Sequence, residues 1–222
     1  LVLATVDSLK KFKNKLAYYL AIFAMAFGSI FGTFNAANAL DAVNGATVTD
    51  TDGNGDGVAN DADGTSVDLT TAGTITVDTQ GGSNDIVFND ITTDANTVMT
   101  VSGTGKLTVD DMKAAANESM AITIGNGSTA TSIVIEEDMA VASGGSMSTA
   151  VTAGATLKLT GDGSSDAVAS SITGAGALDI DNAYTFSESV AIGAINIATG
   201  KVATFNDTLA VVGTNTVVGT LT

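Results

Sequence analysis

From Gly193 to Gly213 the chain reads GAINIATGKVATFNDTLAVVG, with apolar residues on alternate positions: Ile195 and Ile197, Ala203 and Phe205, Leu209 and Val211. Alternation over four or five residues sends every second side chain to one face of a strand. Asn206, Asp207 and the flanking glycines turn the chain between strands. The same phrase, glycine-x-apolar-x-apolar, recurs as Gly73-Thr-Ile75-Thr-Val77, Gly105-Lys-Leu107-Thr-Val109 and Gly176-Ala-Leu178-Asp-Ile180. Further strand signals are Ile86/Phe88, Val98/Val101, Ile122/Ile124, Ile133/Ile135 and Leu157/Leu159. Turn clusters such as Gly81-Gly82-Ser83-Asn84 and Gly161-Asp162-Gly163 separate them. Strands spaced about 8–15 residues apart predict an all-β architecture. One helical candidate interrupts the pattern: Asp110–Met120, with an aspartate to cap it and three alanines to carry it.

The recurring glycine phrase favours a parallel β-solenoid over residues 73–222, following an N-terminal signal helix. A tandem of β-sandwiches is the alternative. Aromatic residues after position 40 are only Phe88, Tyr184, Phe186 and Phe205, and the chain has no Trp to seed an immunoglobulin-like core. Small aliphatic side chains suit stacked coils. Against a strict repeat, the phrase glycines Gly73, Gly105, Gly176 and Gly193 fall at unequal intervals, the widest between Gly105 and Gly176. The final Gly219-Thr-Leu-Thr222 starts another glycine phrase, which predicts an array that continues past residue 222.

Residues 1–39 read as a secretory signal with a short upstream extension. Lys10, Lys11, Lys13 and Lys15 form the basic region, Leu16–Phe34 the apolar region, and Ala37-Asn38-Ala39 the cleavage motif. A membrane anchor is the competing reading, because Leu16–Phe34 nearly reaches the roughly 20 residues that a spanning helix needs. Cleavage would leave a mature chain opening at Leu40-Asp41, with no membrane span, outside the cell or on its outer surface.

Composition narrows the chemistry. The chain has no Cys, His or Pro, and its formal charge is −16. All but one of its 24 acidic residues, and only four of its eight lysines, lie beyond residue 39. Such a surface repels phosphate backbones and excludes nucleic acid as a partner. Without His or Cys there is no zinc hydrolase, no His-based triad and no disulfide framework. Hard cations are favoured, calcium foremost.

One stretch within the N-terminal segment 40–72 matches that preference. Counted from Asp52, Asn54 falls at loop position 3, Asp56 at 5, Gly57 at the sharp turn, the Val58 carbonyl at 7, Asn60 at 9 and Asp63 at 12. This spacing predicts a calcium site built from Asp52, Asn54, Asp56, Val58, Asn60 and Asp63; a flexible acidic linker is the alternative. The loop resembles those of EF-hand-like dockerin modules and thrombospondin type 3 repeats. It departs from both in closing with Asp instead of Glu and in lacking a second copy. The resemblance implies calcium ligation alone.

Phrases such as SITGAGALDIDN (171–182) and AINIATGKVATFNDTLAVVG (194–213) resemble the passenger regions of Gram-negative autotransporters and rickettsial-type surface antigens. That resemblance implies a bacterial surface structural or adhesin-type protein, not an enzyme. Its partners would be surface glycans or neighbouring subunits of the same protein. Two alternatives stand beside it. One is a calcium-dependent surface-layer (S-layer) protein. The other is a polysaccharide-active β-helix enzyme using Asp179 and Asp181, which share one face of a strand. Asp110-Asp111 and Glu136-Glu137-Asp138 read as turn or surface charges, and Lys106, Lys158 and Lys201 as local partners for acids.

Overall fold

The computed structural model describes residues 39–41, 47–49, 65–69, 72–79, 86–127, 130–161, 165–213 and 215–222. The expected export signal, through Asn38, and the expected calcium ligands Asp52, Asn54, Asp56, Val58, Asn60 and Asp63 lie outside these residues. In chain order the strands are β1 (Ala39–Asp41), β2 (Thr47–Thr49), β3 (Thr65–Leu69), β4 (Gly73–Asp78), β5 (Ile86–Thr93), β6 (Thr97–Ser102) and β7 (Lys106–Ala114). There follow β8 (Ser119–Ile124), β9 (Ser132–Ile135), β10 (Met139–Val141), β11 (Ser146–Val151), β12 (Thr156–Leu159), β13 (Ser165–Val168) and β14 (Ser171–Ile180). The last are β15 (Ala183–Phe186), β16 (Val190–Ile197), β17 (Val202–Phe205), β18 (Leu209–Val211), β19 (Asn215–Val217) and β20 (Thr220–Leu221).

Register sorts these strands into three parallel ladders. The first stacks β2, β4, β6, β8, β11, the opening halves of β14 and β16, and β18. The second runs through the opening halves of β5 and β7, then β9, β12, the closing halves of β14 and β16, and β19. The third takes β1, β3, the closing halves of β5 and β7, then β10, β13, β15, β17 and β20. Each strand pairs in parallel with the equivalent strand of the next coil, which is a β-solenoid. A sandwich would pair antiparallel neighbours, so that alternative falls. The ladders also continue upstream of residue 73, through β3, β2 and β1.

Period-two alternation builds the core. In the second ladder Phe88, Val109, Ile135, Leu159, Ile180 and Ile197 stack coil upon coil, each no more than 1% exposed. In the third, Ile91, Met112, Met139, Val168 and Phe186 form a matching column. Burying one such side chain contributes about 1.5–3 kcal/mol. Phe186 lies flat on Phe205 of the next coil, ring centroids 4.4 Å apart. Two polar pairs sit among the apolar columns: buried Thr93 meets Thr97, and buried Thr149 meets Ser170, each at 3.0 Å, so none of these hydroxyls is stranded.

Two local expectations are corrected. Asp110–Met120 is not a helix: Asp110 to Ala114 continue β7, and β8 starts at Ser119. Met112 and Ala114 share a face, in register with Met139 and Val141, and their burial outweighs the helix preference of the alanines. Asn117, at φ 63°, makes the turn between the two strands. Val98 is not a core residue either. It is 44% exposed, while Met99 and Val101 face inward.

The irregular glycine spacing has a structural cause. Gly105, Gly176 and Gly193 occupy one corner, immediately before the second ladder. The long interval from Gly105 to Gly176 spans coils in which Thr131 and Ala155 take the glycine position. There the Ser132 amide donates to Gly105, that of Thr156 to Thr131 and that of Ala177 to Ala155. Gly73, by contrast, opens a first-ladder strand, and Gly219 precedes the third-ladder strand β20. The phrase thus marks different places in the coil. Coil length varies too: the path between register partners is short from Ala177 to Ala194 and long from Met139 to Val168.

Candidate functional site

Charged side chains gather where the second ladder bends into the third. Strands β5 and β7 run through this bend, so Asp90 stacks on Asp111 in register. Lys113 bridges them, its Nζ 2.8 Å from Asp111 and 3.4 Å from Asp90. In the next coil Glu136 follows β9, and the Asp138 amide donates to Asp111 Oδ1 at 2.9 Å. One coil further, the Ala167 amide donates to Asp138 Oδ1 at 2.6 Å. Asp111 and Asp138 therefore tie three coils together, a role beyond the surface charges read from sequence. The available signal was their spacing, which equals that of the register partners Met112 and Met139.

Asp179 and Asp181 are brought together as expected. Asp179 projects from β14 between Lys158 of β12 and Asn196 of β16. Lys158 Nζ lies 2.7 Å from Asp181 Oδ2, in a pair whose side chains are about one-third exposed or more. An exposed pair of this kind contributes about 0–1 kcal/mol. Lys158 thus pairs with an acid as expected, whereas Lys201 donates to an amide, Asn182 Oδ1, at 3.2 Å. Burial first, and then the Asp181 charge, push the Asp179 carboxyl above its usual range, while Lys158 opposes the shift. Asp110 is also raised, by burial, by the Glu136 charge and hydrogen bond, and by Asp90 and Asp111.

These two groups predict a direction for pH dependence. Their folded-state pKa values exceed the unfolded value near 3.8, so the native chain binds their protons more tightly than the unfolded chain. Above both folded values the ionised carboxyls weigh against folding. Their stabilising contribution grows as pH falls through the raised values and is complete below about 3.8. Asp110→Asn and Asp179→Asn are expected to raise stability at neutral pH and to flatten the difference between neutral and pH 4 in urea titrations. Unchanged pH dependence in both variants would exclude these groups as its source.

The groove at the opposite corner is uncharged but for one acid. About 480 Å³ in volume, it lies where the third ladder passes into the first, between Val141, Ser146, Ser148, Ser171 and Glu188. Neither Asp179 nor Asp181 lines it. Among the described residues no three acids converge as a metal-binding group, and no helix is long and apolar enough to cross a membrane.

The fold and its charged corner define the class, a parallel β-solenoid whose coils are stapled by carboxylates. No family model matches the chain, and no curated protein or solved structure is significantly similar to it.

Proposed function

We propose that the chain is an exported bacterial surface scaffold of structural or adhesive role, of the autotransporter-passenger kind, stiffened near its N-terminus by calcium. One observation carries this reading: a parallel stack buries aliphatic, methionine and a few aromatic side chains inside and sets mostly threonine, serine and alanine in repeated rows outside on its first ladder. Such a stack transmits position along its length and offers hydrogen-bonding groups at regular spacing to glycans or neighbouring subunits. Export is carried by the sequence from Lys10 to Ala39.

Expression of the full chain in a Gram-negative host tests it. The expected product begins at Leu40 and is digested by protease added to intact cells. A product that keeps its N-terminus and stays in the cytoplasm overturns the reading.

The carboxylate pair supports a polysaccharide-active enzyme as the second reading, because Asp179 is held more readily protonated than an ordinary carboxyl. Against it, Lys158 engages Asp181. Loss of polysaccharide cleavage in both Asp179→Asn and Asp181→Asn would decide for the enzyme.

A further inference from the structure

We propose that the outward face of the first ladder is a self-association surface that pairs two copies of this chain face to face. The inference rests on the scaffold reading and names the contact through which neighbouring subunits meet.

Two outward columns make up the interior of this face. One runs Thr74, Val98, Ala121, Ser148, Ser171 in register. The other runs Thr76, Thr100, Thr123, Ala150, Thr173, Ala191, Ala210. Neither column contains a charged residue. The other two ladders differ: Lys158 and Asp179 stand in the outward rows of the second, and Asp90, Asp111 and Lys113 in those of the third. Acids flank the first-ladder face at its margins, Asp78 along one and Glu118, Glu188 and Asp207 along the other.

Charge limits where a second copy can approach. A chain of net charge −16 repels its own copies. The face with an uncharged interior is where two copies approach with the least repulsion, and their marginal acids are screened by salt. Its side chains are short and mostly β-branched or hydroxylic, which lets two sheets pack at about 10 Å. Val98, 44% exposed, supplies an apolar anchor. Four six-residue strands and four shorter stretches of three or four residues, about 4.8 Å apart and rising about 3.3 Å per residue, offer roughly 590 Å² per copy. The total of roughly 1,200 Å² sits at the lowest end of specific interfaces, as befits a reversible contact. No exposed aromatic lies in either column, so the stacking platform that a sugar ring favours is missing there.

Sedimentation velocity of the purified full chain at low and high salt tests the surface. The expected result is monomer at low salt and a two-fold mass at high salt. Thr100→Glu with Thr123→Glu is expected to weaken association about a hundredfold, since like charges brought together cost several kcal/mol. The same change at Thr185 and Thr204, outward in the third ladder, should leave it intact. Circular dichroism verifies folding of each variant.

The chain has no native cysteine, so single cysteines are clean probes. Ala150 is central in its column, and in any two-fold pair centred on the face it lies opposite its own copy. Ala150→Cys is expected to be joined by a short bis-maleimide, and Thr185→Cys is not. A monomer at every salt concentration, or equal crosslinking at both sites, overturns the proposal. So does a chain that stays monomeric and instead binds immobilised glycan through this face. These measurements use purified chain, so their failure is distinct from failure of the cell-surface test.

Discussion

Gly174→Ala is expected to lose about 3–5 kcal/mol of stability, although Gly174 is solvent-exposed. Two causes add. Its φ is 129°, a conformation that side-chain-bearing residues adopt only under strain. An added Cβ would also sit against the carbonyl oxygen of Val151, in the coil before, closer than real Cβ contacts come. That oxygen belongs to a ladder strand and cannot swing aside as a flexible side chain would. The site is a register irregularity between Gly174 and Ala177, where β14 leaves the first ladder for the second. Gly200 is the control. Its φ is 75°, but nothing lies within 4 Å of an added Cβ, so Gly200→Ala should cost only about 1–2 kcal/mol. Urea titration of the two variants measures the difference. A chain of this size has about 5–15 kcal/mol in all, so the first change removes a large share. Equal losses at both positions would show that backbone conformation alone, and not the approach of one coil to the next, sets the requirement for glycine.

Millimolar calcium is expected to raise the melting temperature, and Asp52→Ala combined with Asp56→Ala to abolish the rise. An ion that binds only the folded chain adds about 2.7 kcal/mol when present at a hundred times its dissociation constant. In the proposed site Asp52, Asn54, Asp56, Asn60 and Asp63 would supply side-chain oxygens and Val58 a carbonyl. A closing Asp63 has a shorter reach than glutamate and would weaken such a site, so millimolar calcium is the concentration to test. The loop falls between β2 and β3 in the chain, and those strands belong to different ladders. Calcium there would fix the link between two faces near the N-terminal end of the stack. Titration calorimetry without saturable binding would remove calcium from the proposed function.

Much of the fold is legible in the amino-acid order. Pairs such as Ile122/Ile124, Ile133/Ile135 and Leu157/Leu159 announce strands because a pleated chain exposes one face and buries the other, and each pair is buried. Asp110–Met120 misled because three alanines favour helix locally, whereas Met112 and Ala114 are placed by Met139 and Val141 in the following coil. Asp179 and Asp181 were readable as neighbours from their i,i+2 spacing. Their third partner, Lys158, was not, since it arrives from the preceding coil. The same holds for the Asp111 and Asp138 staples, which act on backbone amides one coil away.

Alternation, turns, acidic charge and the calcium-loop spacing of Asp52 to Asp63 all depend on residues close in the chain, and the amino-acid order alone is enough to read them. Coil length is different. It changes from one coil to the next because corners absorb insertions without disturbing the ladders, so no fixed period exists to be found. Which glycines are equivalent, and which face has an uncharged interior, likewise emerge only in the folded stack. Those properties belong to stacked neighbours, and register between coils is set by the whole core at once.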